Sequence, residues 1–175
     1  ERLTAEFPFV EWGLLMSATR RGKPRYPSAE AFGRLSLGLP TRQLAFHLCG
    51  QVARATLGGD GPEPIDGLRF QVNGFAAHVA EQAPLTPFGQ WVTRVRAGGS
   101  EVILQINDAR SLTAARLLAD IHSNVSALWD ESGGMGKWTN AVPPPPGGGF
   151  RLGYAGGIGP DNVGALCARI TQHPS

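Results

Sequence analysis

The chain has 175 residues, a formal net charge of +2 with neutral histidines, and a charged fraction of 17%. This length favours a single domain with one core, and the near balance of charge argues against a nucleic-acid partner. Two cysteines are too few for a disulfide scaffold or a cysteine zinc site. No apolar stretch reaches the roughly 18 residues of a membrane span, and the N-terminus lacks a signal-peptide pattern. We therefore expect a cytoplasmic protein without membrane or nucleic-acid partners.

Six short segments with alternating apolar residues are the strand candidates. They are Phe9–Met16, Leu44–Cys49, Leu68–Asn73, Glu101–Asn107, Val125–Asp130 and Arg151–Gly157. Helical patterns lie at Arg2–Glu6, Ser28–Leu39, Gln51–Leu57, Gln90–Ala97, Ser111–Ile121 (with Ser111 as its cap) and Pro160–Thr171. Strand alternating with helix predicts an α/β fold with parallel strands and right-handed crossovers.

The alternation within each strand separates two α/β architectures. Strands of an open doubly wound sheet are covered on both faces and tend to be apolar throughout. Here one face is apolar, as at Leu44, Phe46 and Leu48, whereas the other is partly polar, as at His47 and Cys49. An apolar outside beneath helices and a partly polar interior predict a TIM-type (β/α) barrel. The alternative, an open nucleotide-binding sheet, lacks the Gly-x-Gly-x-x-Gly turn after its first strand.

The repeat length predicts that this barrel is incomplete at both ends. The first and sixth strand candidates start at residues 9 and 151, so the five repeats between them average about 28 residues. Eight such units need about 225 residues, more than the 175 in the chain. We expect one domain over residues 1–175 with about six of the eight strands.

Two glycine-rich turns follow strands and are the candidate anion site, because barrels of this type place their sites at the carboxyl ends of the strands. The first is DESGGMGK at Asp130–Lys137, whose glycines let backbone N–H groups approach an anion beside the charge of Lys137. The second is AGGIGPDNV at Ala155–Val163, a Gly turn before a helix that we expect to begin at Pro160. Each turn alone has a structural alternative: a flexible loop for the first, and for the second a helix end that Asp161 satisfies. Together they favour a phosphate site.

These segments resemble phosphoribosylanthranilate isomerases. LWDESGGMGK and GYAGGIGPDNV are similar to that family's sixth and seventh strands with their Gly turns, and WGLLMSATRRGKPRYPS is similar to its second strand and the following Arg-Tyr loop. The specific part of the resemblance covers about 45 residues. It implies a phosphate-binding TIM barrel of tryptophan biosynthesis that catalyses an Amadori rearrangement of a phosphorylated aminosugar, without cofactor or metal.

The resemblance also implies roles for individual residues. Asp130 corresponds to the general acid that opens the furanose ring, and Arg25 to the arginine that contacts the anthranilate carboxylate. The phosphate is then held by the two turns: Gly133, Gly134, Gly136, Lys137, Gly156 and Gly157. The chemistry needs a proton donor near the ring oxygen and a base at the adjacent carbon.

The chain departs from that family in the base and in one strand. The family's base is a cysteine on its first strand, which has no counterpart here. Cys49, two residues from His47 on one strand face, is the candidate replacement, and a packed, inert thiol is the alternative. The family's Gln-Leu-His-Gly reads QVNG here, with Asn73 in the histidine position. Asn73 and Asn107 are candidate substrate-binding amides, unless they satisfy one another.

Two functions from different classes follow from these residues. The first is an isomerase of a phosphorylated sugar with Asp130 as acid, and the second is a non-catalytic or repurposed barrel that binds a phosphorylated small molecule. A base opposite Asp130 separates the two. Glu11 is expected to pair with Arg69 rather than to act in catalysis. The run TNAVPPPPGGG after Lys137 predicts a loop in place of a helix.

Overall fold

The computed structural model describes residues 5–138, 143 and 149–171. All six predicted strands are present in it, each shorter than its sequence pattern. They are β1 Trp12–Met16, β2 Leu44–Leu48, β3 Arg69–Val72, β4 Glu101–Ile106, β5 Val125–Trp129 and β6 Leu152–Tyr154. The chain leaves the sheet directly after β2 to β5, so Cys49, Asn73, Asn107 and Asp130 lie at the carboxyl edge of the sheet.

Helices lie between most of the strands and after the last one. They are α1 Ala29–Gly38, α2 Gln51–Leu57, α3 Phe75–Ala80, α4 Thr86–Ala97, α5 Ala109–Ile121 and α6 Val163–Thr171. None of the described helices is long and apolar enough to span a membrane. Of the helix predicted at Arg2–Glu6, Ala5 and Glu6 are described and helical. Most of the predicted proline loop lies outside the described residues.

Three helix starts differ from the sequence prediction, and side-chain hydrogen bonds explain two of them. The prediction of Ser111 as the cap of α5 was wrong, because Asp108 Oδ1 accepts from Ser111 N at 2.7 Å in a capping box. The prediction that the last helix begins at Pro160 was also wrong. Asn162 Oδ1 accepts from Gly159 N at 2.8 Å and Asn162 Nδ2 donates to Gly157 O at 2.9 Å, which holds a turn there. Helix α4 begins four residues before the predicted start.

The strands form one sheet in the order β1-β2-β3-β4-β5-β6, and every neighbouring pair is parallel. The prediction of an α/β fold with parallel strands is therefore confirmed. Each strand lies beside its neighbours in the sequence, so the strand order runs in one direction across the sheet over the described residues. The parallel sheet and its helices are compatible with a TIM-like or a Rossmann-like α/β fold.

The two faces of the sheet have different neighbours. One face carries the core, in which Phe46 contacts Phe32 of α1 at 4.9 Å between ring centroids, and Phe70 contacts Trp91 of α4 at 5.7 Å. Helices α2, α3 and α5 add buried residues to the same cluster. Each fully buried aromatic or branched side chain there contributes about 1.5–3 kcal/mol. The opposite face carries the polar residues of the strands, including His47 and Gln71.

An ionic ladder crosses that second face at the amino ends of the strands. Arg69 Nη1 lies 2.6 Å from Glu11 Oε2, Arg69 Nε lies 3.1 Å from Glu101 Oε2, and Arg151 Nη1 lies 3.3 Å from Glu101 Oε2. The predicted pairing of Glu11 with Arg69 is confirmed. Burial works against the charge of Arg69, but the two carboxylates outweigh it and raise the pKa of Arg69. The ladder places Glu11 at the edge opposite the glycine turns, in a structural role.

Candidate functional site

Asp130 is a buried polar residue at the carboxyl edge of the sheet. Its N–H donates to Ile106 O at 2.8 Å, which continues the β4–β5 ladder, and the residue is 5% exposed. Its carboxylate accepts from Gln105 Nε2 at 2.9 Å, from Ser132 Oγ at 2.6 Å and from Gly134 N at 2.7 Å. A buried carboxylate is tolerable because these donors replace water.

The first glycine turn wraps around this carboxylate. Gly133, Gly134 and Gly136 have φ angles of +61°, +88° and +66°, a region that glycine adopts at little cost. Gly133 N donates to Asp130 O at 2.9 Å, and Gly134 N donates to the carboxylate itself. Two N–H groups of the predicted phosphate site therefore already bind Asp130.

The second glycine turn lies directly against the first. A Cβ at Gly156 would stand 3.0 Å from Asp130 Oδ1 and 3.2 Å from Lys137 O, and one at Gly157 would overlap Trp138 N. Their φ angles are +101° and +65°. Within the described residues, the N–H groups of Gly136, Gly156 and Gly157 have no acceptor. The tertiary fold thus brings both predicted turns together and leaves three N–H donors near their contact.

Two clefts open along the carboxyl edge of the sheet. The larger, about 510 Å³, is lined by Asn73, Gln105 and Gly133 among others. The smaller, about 210 Å³, is lined by Asn107, Asp130, Gln105 and Gly133. Gln105 and Gly133 border both. The structure therefore gathers four predicted site residues, Asn73, Asn107, Asp130 and Gly133, around adjoining space of the size that small ligands fill.

Cys49 joins this group through Asn73. Asn73 Nδ2 donates to Cys49 Sγ at 3.1 Å, and Gln71 Nε2 donates to Asn73 Oδ1 at 2.9 Å. The thiol faces the backbone oxygen of His47 at 3.4 Å rather than its imidazole. The ring of His47 lies against Gly13, and burial lowers the pKa of His47. Asn73, rather than His47, is therefore the polar side chain that contacts the candidate base.

Arg25 and Lys137 are not brought to the clefts. Arg25 is exposed, has a φ of +71° and belongs to a loop in which Arg20 stacks over Tyr26 at 5.8 Å. Arg21 of the same loop instead lines a cavity of about 110 Å³ with Ser17 and Phe32 at the end of β1. Lys137 is exposed, and its carbonyl rather than its ammonium group faces Gly156.

Sequence reasoning did not predict that Gln105 and Ser132 bind Asp130. The strand pattern groups Gln105 with Gln71, Asn73 and Asn107 as amides of one face that bind a polar substrate or satisfy one another, and no spacing rule predicts which of them contacts the end of the next strand. Ser132 carried a weak signal, since a serine two residues after an aspartate in a Gly turn often bonds back to it.

No group of three or more histidine, cysteine, aspartate or glutamate residues in the described chain is placed to hold a metal ion. No protein-family model, curated protein or solved structure matches the chain.

Proposed function

We propose that the protein is a TIM-type barrel isomerase that acts on a phosphorylated aminosugar, similar to the phosphoribosylanthranilate isomerases. The sequential order of six parallel strands and the helices packed on one face support the barrel, because a doubly wound sheet reverses its strand order and is covered on both faces. In such a barrel the face that packs against the helices would be the outside of the strands, and the polar face would line the interior.

The observation that carries the proposed activity is the placement of Asp130. It is a buried carboxyl at the carboxyl end of a parallel strand, it borders a cleft, and it lies between two glycine turns. A catalytic acid needs this combination of fixed geometry and access to a ligand. The N–H groups of Gly136, Gly156 and Gly157, which have no acceptor among the described residues, support binding of the phosphate beside it.

The proposed reaction has two proton-transfer steps. First, Asp130 gives a proton to the ring oxygen of the sugar, the bond from that oxygen to C1 breaks, and the nitrogen lone pair forms a C1=N iminium. A base then removes the C2 proton, the C–H electrons form a C1=C2 bond, and the C1=N electrons return to the nitrogen, which gives an enol. C1 next takes up the proton held by the base, and the C2 hydroxyl becomes a ketone as it loses a proton that restores the acid. The product is an isomer of the substrate. Cys49, whose sulfur accepts from Asn73, is the proposed base.

A second candidate function, a barrel that binds a phosphorylated ligand without reacting it, is favoured by one specific observation. All three donors around Asp130 serve to hold the carboxylate, and two of them come from its own turn. A carboxylate used in this way stabilises the turn and has no need to transfer a proton. The two candidates share the phosphate site and differ in whether Asp130 reacts.

Anthranilate fluorescence during incubation with phosphoribosylanthranilate tests the choice. We expect turnover by the unaltered chain, its loss in Asp130→Asn, and its retention in Glu131→Gln, which removes the charge of the exposed neighbour. Retained turnover in Asp130→Asn would contradict the assigned acid. Absence of turnover by the folded chain, together with binding of ribose 5-phosphate, would replace the isomerase by the binding protein.

A further inference from the structure

The two oxygens of the Asp130 carboxylate have chemically different partners. Oδ2 accepts from two nitrogen donors, Gln105 Nε2 at 2.9 Å and Gly134 N at 2.7 Å. Oδ1 has a hydroxyl partner, Ser132 Oγ at 2.6 Å. A backbone N–H can only donate, whereas a hydroxyl both donates and accepts. The carboxyl is therefore asymmetric toward a proton.

Both lone pairs of Oδ2 already accept hydrogen bonds, so a proton on Oδ2 requires the amide of Gln105 to turn its oxygen toward it. The Gly134 N–H is then left donating to a neutral hydroxyl oxygen, which is a weaker acceptor than a carboxylate. A proton on Oδ1 meets the Ser132 oxygen, which accepts once the hydroxyl has rotated. We infer that Oδ1 carries and delivers the acid proton and that Ser132 is its positioning residue, an inference that rests on the proposed isomerase function.

The position of Gly156 supports this assignment. A Cβ at residue 156 would stand 3.0 Å from Oδ1 and 3.4 Å from Ser132 Oγ. Any larger residue at this position would therefore crowd both Oδ1 and its serine partner. Glycine at 156 keeps a side chain away from the oxygen that is assigned to proton transfer.

The proton balance of the step is complete with these groups. Before the reaction, Oδ1–H donates to Ser132 Oγ. The proton then passes to the sugar ring oxygen as the ring opens, and the Ser132 hydroxyl rotates to donate to the ionised Oδ1. The 2.6 Å hydrogen bond from Ser132 Oγ to Oδ1 in the structure corresponds to this state, in which the carboxylate is ionised. Gln105 and Gly134 hold Oδ2 throughout.

Three serine variants test the inference. Ser132→Ala removes the switchable partner, and we expect about a tenfold fall in kcat with KM changed less than about twofold, the loss of one hydrogen bond to a charged group. Ser132→Thr keeps the hydroxyl and is expected to restore most of kcat. Ser126→Ala is the matched control, because Ser126 Oγ bonds a backbone oxygen of the same sheet at 3.4 Å away from Asp130. An active chain whose kcat is unchanged by Ser132→Ala would overturn the assignment.

A second readout does not depend on turnover. The orientation of the Gln105 side-chain amide reports which oxygen carries the proton, because a proton on Oδ1 leaves Gln105 Nε2 donating to Oδ2 beside the Gly134 N–H, whereas a proton on Oδ2 turns the amide oxygen toward it. In NMR spectra of the unaltered chain at neutral and acidic pH, we expect the Gln105 side-chain NH₂ to stay in NOE contact with the Gly134 amide proton, and in Ser132→Ala to lose that contact in acid. Loss of the contact in the unaltered chain would overturn the Oδ1 assignment. Lack of turnover with the contact retained would refute the isomerase function and leave the proton assignment standing.

Discussion

The amino and carboxyl edges of the same sheet hold charged side chains in opposite ways. At the amino edge, two glutamates and two arginines pair with one another across the strands. At the carboxyl edge, Asp130 is held by neutral donors, with no cationic partner among the described residues. Paired charges neutralise each other and fasten strands together, whereas the carboxyl edge holds an unpaired carboxylate in a fixed position beside a cleft. Under the proposed function, the amino edge contributes stability and the carboxyl edge carries the chemistry.

The largest expected effect separates the acids of the two edges. Asp130→Asn is expected to lower kcat by about 10²- to 10⁴-fold, the range for loss of a general acid. Glu101→Gln at the amino edge is expected to leave kcat within about twofold, because it lies at the opposite ends of the strands. The measurement is steady-state turnover of phosphoribosylanthranilate. Similar losses in both variants would remove the functional distinction between the edges.

Next in size is the effect on phosphate binding. Gly134→Asp places a carboxylate and a strained backbone at φ +88°, and is expected to lower affinity for ribose 5-phosphate by at least about tenfold through charge repulsion. Gly149→Asp introduces the same residue at φ +78° with no atom within 4 Å of its Cβ, and serves as control. Titration calorimetry on both variants, with circular dichroism for folding, measures the difference. Equal affinity of the two variants for ribose 5-phosphate would contradict the assigned phosphate site.

The ionic ladder should affect stability rather than activity. Arg69→Met removes the charge that pairs with Glu11 and Glu101, and is expected to lower the free energy of unfolding by about 1–2 kcal/mol, since the pairs are half-exposed. Arg34→Met breaks an exposed pair with Glu30 and is expected to cost less than about 0.5 kcal/mol. Urea unfolding measures both. A loss of turnover in folded Arg69→Met would show that the amino edge also contributes to chemistry.

The smallest expected effect is a pH dependence from His47. Burial lowers the pKa of His47 below its usual value of 6.5, so the unfolded chain binds its proton more readily than the folded one. The stability that the neutral imidazole contributes is complete above pH 6.5 and is lost as pH falls through the lowered pKa of the folded state. His47→Gln is expected to flatten the fall in unfolding free energy between about pH 7 and 5 by less than about 1 kcal/mol. The unfolding free energy is measured by urea unfolding at several pH values. The same pH dependence in His47→Gln and in the unaltered chain would contradict this contribution.

The sequence patterns were sufficient for the strands because each strand has a face that meets the helices. Leu44, Phe46 and Leu48 alternate with polar or small residues, and the structure buries all three. Helix α3 was missed because six residues give too short a period to detect, and its start depends on the left-handed φ of Gly74. The start of α6 was misplaced because Asn162 bonds back into the turn, a local choice that Pro160 does not reveal.

Chain order and local composition therefore determined the α/β class, the six strands, the Glu11–Arg69 pairing and the two glycine turns as candidates. The strands and the turns follow from short-range periodicity and from the backbone freedom of glycine, and the pairing follows from the need of a carboxylate on a strand face for a cationic partner. Tertiary structure decided that Gly156 meets Asp130, that Gln105 and Ser132 hold its two oxygens, and that Arg25 lies away from the clefts. Those contacts join residues on different strands and loops, and side-chain packing in three dimensions selects them, which no spacing along the chain encodes.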